Sequence, residues 1–303
     1  MKKSFLVLLI MVSIALAAAA QCMAEDDFEI SAKAAVVMDP ATGAIIISKN
    51  KDLKLPPAST TKVMSAVVAL EKSRLSDVFK VSKRASCMSP SKVCLKPGDE
   101  ITVEALLYSM LLKSANDSAA ALAEGVGGSE LNFARMMTEK AKEIGAVNTN
   151  YMNASGLPTS DHYTTAYDLA LILSYALKDD RFVAISATKF ATLNMGEKYN
   201  MLLKNHNKML WCYEGAGPGK TGYTNAARHC YVGEANSGSM RLVVAVLHSE
   251  NLWTDVRKLL DKGFELAMTG QTLALEDKEP VMKKASYRKP HRLHRRHRRK
   301  KRI

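Results

Sequence analysis

The chain has 303 residues, of which 47% are hydrophobic and 24% are charged. This apolar content is ample for a globular core, so the composition excludes an intrinsically disordered protein. The formal net charge of +13 is placed unevenly, because residues 288–303 carry ten Lys and Arg and no acid, whereas residues 25–287 are close to neutral.

The first predicted element is a secretory signal over residues 1–24. Two lysines precede the apolar stretch 5–20, which is the order of charged and hydrophobic regions in a signal peptide. Small residues permit cleavage after Ala24 or after Ala20. Lipidation at Cys22 is a weaker alternative because the preceding glutamine fits such a site poorly, and the apolar run is short for an uncleaved anchor. We therefore predict an extracytoplasmic protein, in the periplasm or on the cell-wall side of the membrane.

Export makes disulfides permissible for the remaining cysteines, Cys87, Cys94, Cys212 and Cys230. Three pairings are possible. We favour Cys87 with Cys94, which flank a short turn-like stretch, and Cys212 with Cys230; four free buried thiols remain the alternative, since pairing depends on geometry. No Cys/His spacing resembles a zinc site, so neither a metal nor a cofactor is predicted.

The body of the chain predicts strands at both ends and helices between them. Residues 34–38 and 44–48 form a hairpin, and an apolar helix begins near Ser59. Helical signals with capping residues at Thr102, Ser129 and Thr165 continue to about residue 180. Strand-like segments follow at 199–203, 219–223, 229–234 and 241–248, and an amphipathic helix at 255–267 closes the pattern. This order predicts an α/β (α+β) fold in which one antiparallel sheet is built from both chain ends and a mostly helical subdomain is inserted.

Ser59 and Lys62 form the first candidate for chemistry. Three residues apart on a helix, their side chains share a face and can touch. The segment from Val63 to Leu70 has Ser65 as its only polar residue, so the helix is expected to be buried. Burial disfavours the ammonium form of lysine and makes Lys62 a base for the serine hydroxyl. The alternative is a helix cap followed by a solvated lysine, because a four-residue motif often occurs by chance.

Two further motifs follow in order, Ser114-Ala-Asn116 and Lys220-Thr-Gly222. The series S-x-x-K, S-x-N and K-T-G is the signature of penicillin-recognising serine enzymes. The chain resembles the D-alanyl-D-alanine carboxypeptidases, the low-molecular-mass penicillin-binding proteins of the β-lactamase/DD-peptidase-like fold. The resemblance covers roughly residues 30–270 and extends to other blocks, such as Asn153-Ala-Ser-Gly-Leu-Pro158 and His162-Tyr-Thr-Thr-Ala-Tyr-Asp-Leu169.

The resemblance implies a role for each matching residue. Ser59 would be the acylated nucleophile and Lys62 its general base, with Ser114 relaying a proton to the leaving amine and Asn116 binding the substrate amide and Lys62. Lys220 and Thr221 would receive the terminal carboxylate, since a free chain end is recognised by a cation and a hydroxyl. Gly222 would let the substrate approach the strand, and the N–H groups of Ser59 and Tyr223 would form the oxyanion hole.

This implied function is exported serine-type carboxypeptidase activity on peptidoglycan stem peptides, with β-lactams as inhibitors. One alternative is a β-lactamase-like hydrolase, but Glu130-Leu-Asn132 does not match the deacylating E-x-x-L-N loop of class A β-lactamases. The other is a non-catalytic wall-binding protein, which the intact motifs disfavour.

The sequence predicts three regions: a signal over residues 1–24, a catalytic domain over residues 25–270 and a disordered basic tail over residues 271–303. Ten cations among the last sixteen residues cannot build a core. After export, the accessible anions are phospholipid head groups and anionic wall or outer-membrane polymers rather than nucleic acid. We expect the tail to adhere to such a surface, in preference to acting only as a solubilising charge run.

Overall fold

The computed structural model describes residues 28–194 and 200–275. Its strands, numbered in chain order, are β1 Ala34–Met38, β2 Ile45–Lys49, β3 Val78–Lys80, β4 Glu100–Thr102, β5 Phe190–Asn194, β6 Asn200–Lys204, β7 Ala216–Thr224, β8 Arg228–Ser237, β9 Met240–Ser249 and β10 Leu273–Leu275. A 3-10 turn, Ala58–Thr61, leads into the first α-helix. The α-helices are α1 Lys62–Lys72, α2 Lys83–Ser86, α3 Val103–Leu112, α4 Asn116–Gly127, α5 Glu130–Ile144, α6 Ala166–Ala176, α7 Asp180–Ala187, α8 Met209–Cys212 and α9 Leu252–Thr269.

One sheet with the strand order β10-β2-β1-β9-β8-β7 organises the molecule. Its pairs are antiparallel except for β10 with β2, which is parallel. The early strand β1 pairs with the late strand β9, and the early strand β2 pairs with β10, so both ends of the chain build the sheet. The predicted α/β architecture with a helical insert is therefore confirmed.

Alternating side chains of the central strands fill two cores, one on each face of the sheet. Val36 and Val243 pack with the inserted helices on one face. Val37 and Val244 pack with α9 on the other face. Because both faces are covered, these strands read in the sequence as continuous apolar runs.

Three predicted helix caps are confirmed. The side chains of Thr102, Ser129 and Thr165 each accept a hydrogen bond from the backbone N–H three residues later, which satisfies one of the free donors at a helix start. The helix that follows Ser59 is buried from Lys62 to Leu70, as its apolar sequence predicts.

The predicted end of the catalytic domain at residue 270 is wrong. Residues 273–275 form β10, whose residues align with Ile47 to Lys49 of β2, so the sheet continues beyond the expected boundary. The signal over residues 1–24 and the basic stretch 288–303 lie outside the described residues. Within the described part of the chain, no helix combines the length and the apolar character needed to cross a bilayer.

The favoured disulfide pairings are also wrong, because all four cysteines are free. Cys230 is buried in the core that faces the inserted helices, whereas the Cys212 carbonyl accepts from Arg257 on α9, on the opposite face of the sheet. Cys87 and Cys94 are exposed. The side chain of Cys94 faces solvent, whereas those of its neighbours Val93 and Leu95 are buried.

Candidate active site

Ser59 lies in the 3-10 turn that precedes α1, between two close backbone contacts. Ala58 adopts a left-handed φ of +48°, an uncommon conformation for a residue with a side chain. A Cβ at Gly156 would lie 1.8 Å from the Ala58 carbonyl oxygen, and one at Gly222 would lie 2.8 Å from the Ser59 nitrogen. Gly156, in the loop after α5, and Gly222, in strand β7, therefore allow these two segments to pack directly against the backbone of the turn that carries Ser59.

Three oxygens surround the Lys62 amine. Its Nζ donates to Asn116 Oδ1 at 2.8 Å and to the Ser155 carbonyl at 2.6 Å, and both of these oxygens can only accept. The third neighbour is Ser59 Oγ at 3.0 Å. Nζ donates to all three oxygens in this arrangement; when the amine is neutral, its two N–H groups can serve the two carbonyl oxygens, which leaves its lone pair for the serine hydroxyl. This is the arrangement of a general base and its nucleophile.

The surroundings of Lys62 favour that neutral form. The side chain is fully buried, and burial lowers its pKa well below the usual lysine value. The positive charge of Lys220 lowers the pKa further, while the carboxylate of Asp117 opposes the shift. Burial is the largest cause of the lowered pKa, so the packing around Lys62 favours the basic form of the amine.

Asn116 is held by the loop that precedes α3. Its Nδ2 donates to the carbonyls of Ser89 and Pro90, at 3.0 and 3.1 Å, and its backbone N–H donates to Ser91 at 2.7 Å. Its Oδ1 is thereby turned towards Lys62. The neighbouring Asp117 is buried and accepts from the backbone of Val93 and Leu95, which ties the same loop to the start of α4.

Ser114 and Lys220 form a second pair in the site. Lys220 Nζ donates to Ser114 Oγ at 3.1 Å and to the Thr221 carbonyl at 2.8 Å. Ser114 has a left-handed φ of +60° just after α3, and its side chain is buried. Burial also lowers the pKa of Lys220, to about 7. The amine is thus poised to become a full cation when an anionic group arrives.

Strand β7 brings the K-T-G motif against the nucleophile turn from the end of the sheet order. Lys220 and Gly222 lie opposite Val232 and Cys230 of β8, and these two partners face the core of the inserted helices. Thr221 and Tyr223 alternate with them; Thr221 is half-buried and Tyr223 is 51% exposed. Six of the predicted site residues, Ser59, Lys62, Ser114, Asn116, Lys220 and Gly222, therefore come together between the sheet and the helical insert, and Thr221 and Tyr223 alternate with them along β7.

Sequence reasoning did not anticipate the Ser155 carbonyl or the buried carboxylate of Asp117. It also missed His162, whose Nδ1 accepts from the Met152 N–H at 3.2 Å. In the neutral ring, Nε2 then carries the proton and donates to Thr61 Oγ1 at 2.9 Å. Burial lowers the pKa of His162 to about 4, with a smaller contribution from the Lys62 charge. The sequence blocks that contain Ser155 and His162 were noticed only as part of the family resemblance. A backbone carbonyl that accepts a hydrogen bond cannot be recognised from sequence, because every residue has one.

Residues 19–251 match the family model described as D-alanyl-D-alanine carboxypeptidase. The chain belongs to this family. DacB2 of Mycobacterium tuberculosis is 35% identical over 244 residues, which cover 76% of this chain and 81% of the relative. DacF of Bacillus subtilis is 34% identical over 241 residues, covering 77% of this chain and 62% of the relative. The match thus spans about three fifths of the length of DacF.

Solved structures of the family have the same fold. A D-alanyl-D-alanine carboxypeptidase from Mycobacterium tuberculosis superposes with a TM-score of 0.76 at 33% identity, covering 78% of this chain and 92% of the other. A variant of a Streptomyces DD-transpeptidase gives a TM-score of 0.74 at 31% identity and covers 78% of this chain and 99% of the other. The predicted membership and fold of the chain are confirmed.

Proposed function

We propose that this chain is a serine D-Ala-D-Ala carboxypeptidase that acts outside the cytoplasm and removes the terminal D-alanine from peptidoglycan stem peptides. The reaction passes through an acyl-Ser59 intermediate, and penicillins acylate the same serine. The observation that carries the proposal is the buried Lys62 amine, which lies 3.0 Å from Ser59 Oγ and whose pKa burial lowers well below the usual lysine value.

Acylation follows from this contact. Lys62 takes the hydroxyl proton while Ser59 Oγ attacks the carbonyl carbon of the penultimate D-alanine. The negative charge that develops on the carbonyl oxygen is bound by the backbone N–H groups of Ser59 and Tyr223, and such preorganised donors supply much of the rate enhancement in acyl transfer. Protonated Lys62 keeps its two acceptors, the Asn116 amide oxygen and the Ser155 carbonyl, which stabilise the ammonium form.

Departure of D-alanine requires a proton on the leaving nitrogen. Ser114 Oγ relays to it the proton that Lys62 took from Ser59, so Lys62 returns to its neutral form, while the Lys220 amine donates to Ser114 Oγ at 3.1 Å and holds the hydroxyl in place. Lys220 and Thr221 also bind the terminal carboxylate of the substrate. Lys62 then takes a proton from a water molecule that attacks the ester carbonyl and returns it to Ser59 Oγ, which releases the shortened peptide and regenerates the serine.

Glu130 supports a slow rather than a fast hydrolysis of a penicillin adduct. Its segment, Glu130-Leu-Asn132, is a partial match to the deacylating E-x-x-L-N motif of class A β-lactamases. Glu130 instead begins helix α5 and pairs with Arg84. It also accepts from the Ala154 N–H at 3.2 Å. Its oxygens thus brace the loop that carries Ser155, and a β-lactamase-like activity is the less favoured alternative.

Two measurements test the proposal. Intact mass after incubation with penicillin should show one stoichiometric adduct, mapped to the Ser59 peptide, and a D-Ala-D-Ala peptide should release one D-alanine. Rapid turnover of the drug would favour the β-lactamase alternative. Absence of both an adduct and peptide cleavage would favour a non-catalytic wall-binding protein.

The predicted signal over residues 1–24 and the basic run 288–303 support the proposed location. A basic run that follows an exported domain can hold it on anionic lipid or wall polymer, because each basic residue near an anionic bilayer contributes about 1 kcal/mol of attraction. Fractionation of cells that express the full chain tests this: the protein should be extracytoplasmic and released by salt.

A further inference from the structure

Arg84 and Glu130 form an ion pair outside the group of residues that carries out acylation. Arg84 lies on the short helix α2 and is about half exposed, whereas Glu130 begins α5 and its side chain is only 10% exposed. Arg84 also pairs with Glu124 of α4 at 3.1 Å. The ion pair therefore connects segments that are distant in sequence, and the acylation steps described above assign no chemical role to it.

Glu130 holds the segment that carries one acceptor of the Lys62 amine. One of its carboxylate oxygens accepts from the Ala154 N–H at 3.2 Å, and the Ala154 carbonyl accepts from Ser65 Oγ at 2.6 Å. Ala154 is thus held at both of its backbone polar groups. The next carbonyl in the chain, that of Ser155, accepts from Lys62 Nζ at 2.6 Å. A shift of the Ala154 N–H would therefore move this acceptor relative to the amine.

Arg84 lies just before the segment that holds the other acceptor. Helix α2 runs into a loop in which the carbonyls of Ser89 and Pro90 accept from Asn116 Nδ2, at 3.0 and 3.1 Å. These contacts turn Asn116 Oδ1 towards Lys62 Nζ, which lies 2.8 Å away. The two acceptors thus belong to separate parts of the chain. Arg84 is joined to one part by the backbone and to the other part by its ion pair.

The burial of the Glu130 carboxylate makes its counterion necessary. A carboxylate that is nearly excluded from water needs a cation and hydrogen-bond donors to remain ionised in one orientation. Arg84 supplies the cation, and a hydrogen bond between charged partners is stronger than one between neutral partners. Without Arg84, the carboxylate would turn towards solvent or take up a proton, and its bond to the Ala154 N–H would weaken.

We propose that the Arg84–Glu130 ion pair is a clamp that fixes the two oxygen acceptors of Lys62 relative to each other. Arg84 steadies the segment behind Asn116, and Glu130 steadies the segment that carries Ser155. Both act through these backbone segments and are therefore positioning residues. This inference rests on the proposed carboxypeptidase function and adds to it an ion pair that controls the placement of the general base.

Acylation of the full-length protein by benzylpenicillin tests the inference. The dependence of the rate on drug concentration separates the dissociation constant of the non-covalent complex from the rate constant of acylation. Glu130→Gln keeps an oxygen for the Ala154 N–H and loses the charge, and Arg84→Gln removes the cation. Each change should lower the acylation rate constant about tenfold, because a misplacement of an ångström costs about a hundredfold and a smaller shift is expected here. The dissociation constant should stay within about twofold of the wild-type value.

Three further variants separate a clamp from a general loss of packing. The double variant Arg84→Gln/Glu130→Gln should acylate within about twofold of the slower single variant, because two residues of one interaction are not additive. Arg84→Lys keeps the charge and should recover the wild-type rate constant to within about threefold. Arg135→Gln removes a 4.0 Å ion pair with Glu139 on the same helix α5, so it is the matched control and should leave both constants unchanged.

Arg84 is half exposed, so Arg84→Gln is expected to fold even if Glu130→Gln does not, and a wild-type circular dichroism spectrum verifies this. A wild-type acylation rate constant in Arg84→Gln would overturn the proposal. Losses that multiply in the double variant, no recovery in Arg84→Lys, or an effect confined to the dissociation constant would also overturn it. If the wild-type protein forms no adduct at all, the proposed function itself fails, and this inference fails with it.

Discussion

Replacing Lys220 by methionine should make the protein more stable relative to wild type as the pH falls. The lysine has an ordinary pKa near 10.5 when unfolded and about 7 in the folded protein. Between these values the unfolded chain binds more protons than the native one, so wild-type stability rises with pH and falls as the pH drops towards 7. Methionine fills a similar volume and cannot be protonated.

The magnitude follows from the two pKa values. Between roughly pH 9 and pH 6, protonation of this one group removes about 3 kcal/mol from the free energy of unfolding of the wild type. The variant does not lose this contribution. The free energy of unfolding of the variant minus that of the wild type should therefore rise by about that amount as the pH falls from 9 to 6. Loss of the contacts to Ser114 and Thr221 lowers the stability of the variant equally at both pH values, so it cancels from this change.

Urea unfolding of both proteins at the two pH values measures this double difference, because midpoint and slope give the free energy in water. Ser114→Ala is a suitable control, since it removes the hydroxyl partner of Lys220 without removing the titrating amine. A stability difference between Lys220→Met and wild type that is the same at both pH values would refute the claim that burial lowers the lysine pKa.

Three further outcomes are expected. Lys62→Met should lower the rate of penicillin acylation of Ser59 by about 10²- to 10⁴-fold, the usual contribution of a general base, while the circular dichroism spectrum stays unchanged; acylation at the wild-type rate would exclude Lys62 as the base. Gly222→Ala should slow acylation about a hundredfold, since the added Cβ would lie 2.8 Å from the Ser59 nitrogen and an ångström of displacement has that cost; a wild-type rate would show that β7 has room to shift. Truncation after Ala285 should release the protein from anionic vesicles at low salt and leave peptide hydrolysis unchanged, because the attraction of exposed charges is screened within about 8 Å at physiological ionic strength; binding that survives truncation or is insensitive to salt would contradict the assignment of the tail as the anchor.

The local part of the site could be predicted from sequence because it depends on helical spacing alone. Ser59 and Lys62 are three residues apart, and the apolar run after them predicts burial of the lysine. The other two partners of Lys62 come from Asn116 and Ser155, 54 and 93 residues further along the chain. Only the family resemblance suggested the first of these contacts, and nothing suggested the second, since any residue can provide a carbonyl.

The errors have a common physical origin in sheet geometry. The pairing of Cys212 with Cys230 followed from pairing Cys87 with Cys94, but Cys230 faces the core of the inserted helices, whereas the Cys212 carbonyl lies against α9 on the other face of the sheet. Strand β10 was missed because three residues at a sheet edge show no alternation long enough to recognise. Both features depend on which strand lies next to which, and a single sequence does not contain that information.

The place of β10 has a consequence for how the enzyme could work on a large, fixed substrate. β10 and β7 occupy opposite ends of the sheet order, about 24 Å apart at the usual strand spacing. Residues 276–303 follow β10 in the sequence. If the proposed anchor holds the basic run, attachment therefore begins at the sheet edge opposite the one that carries the K-T-G motif.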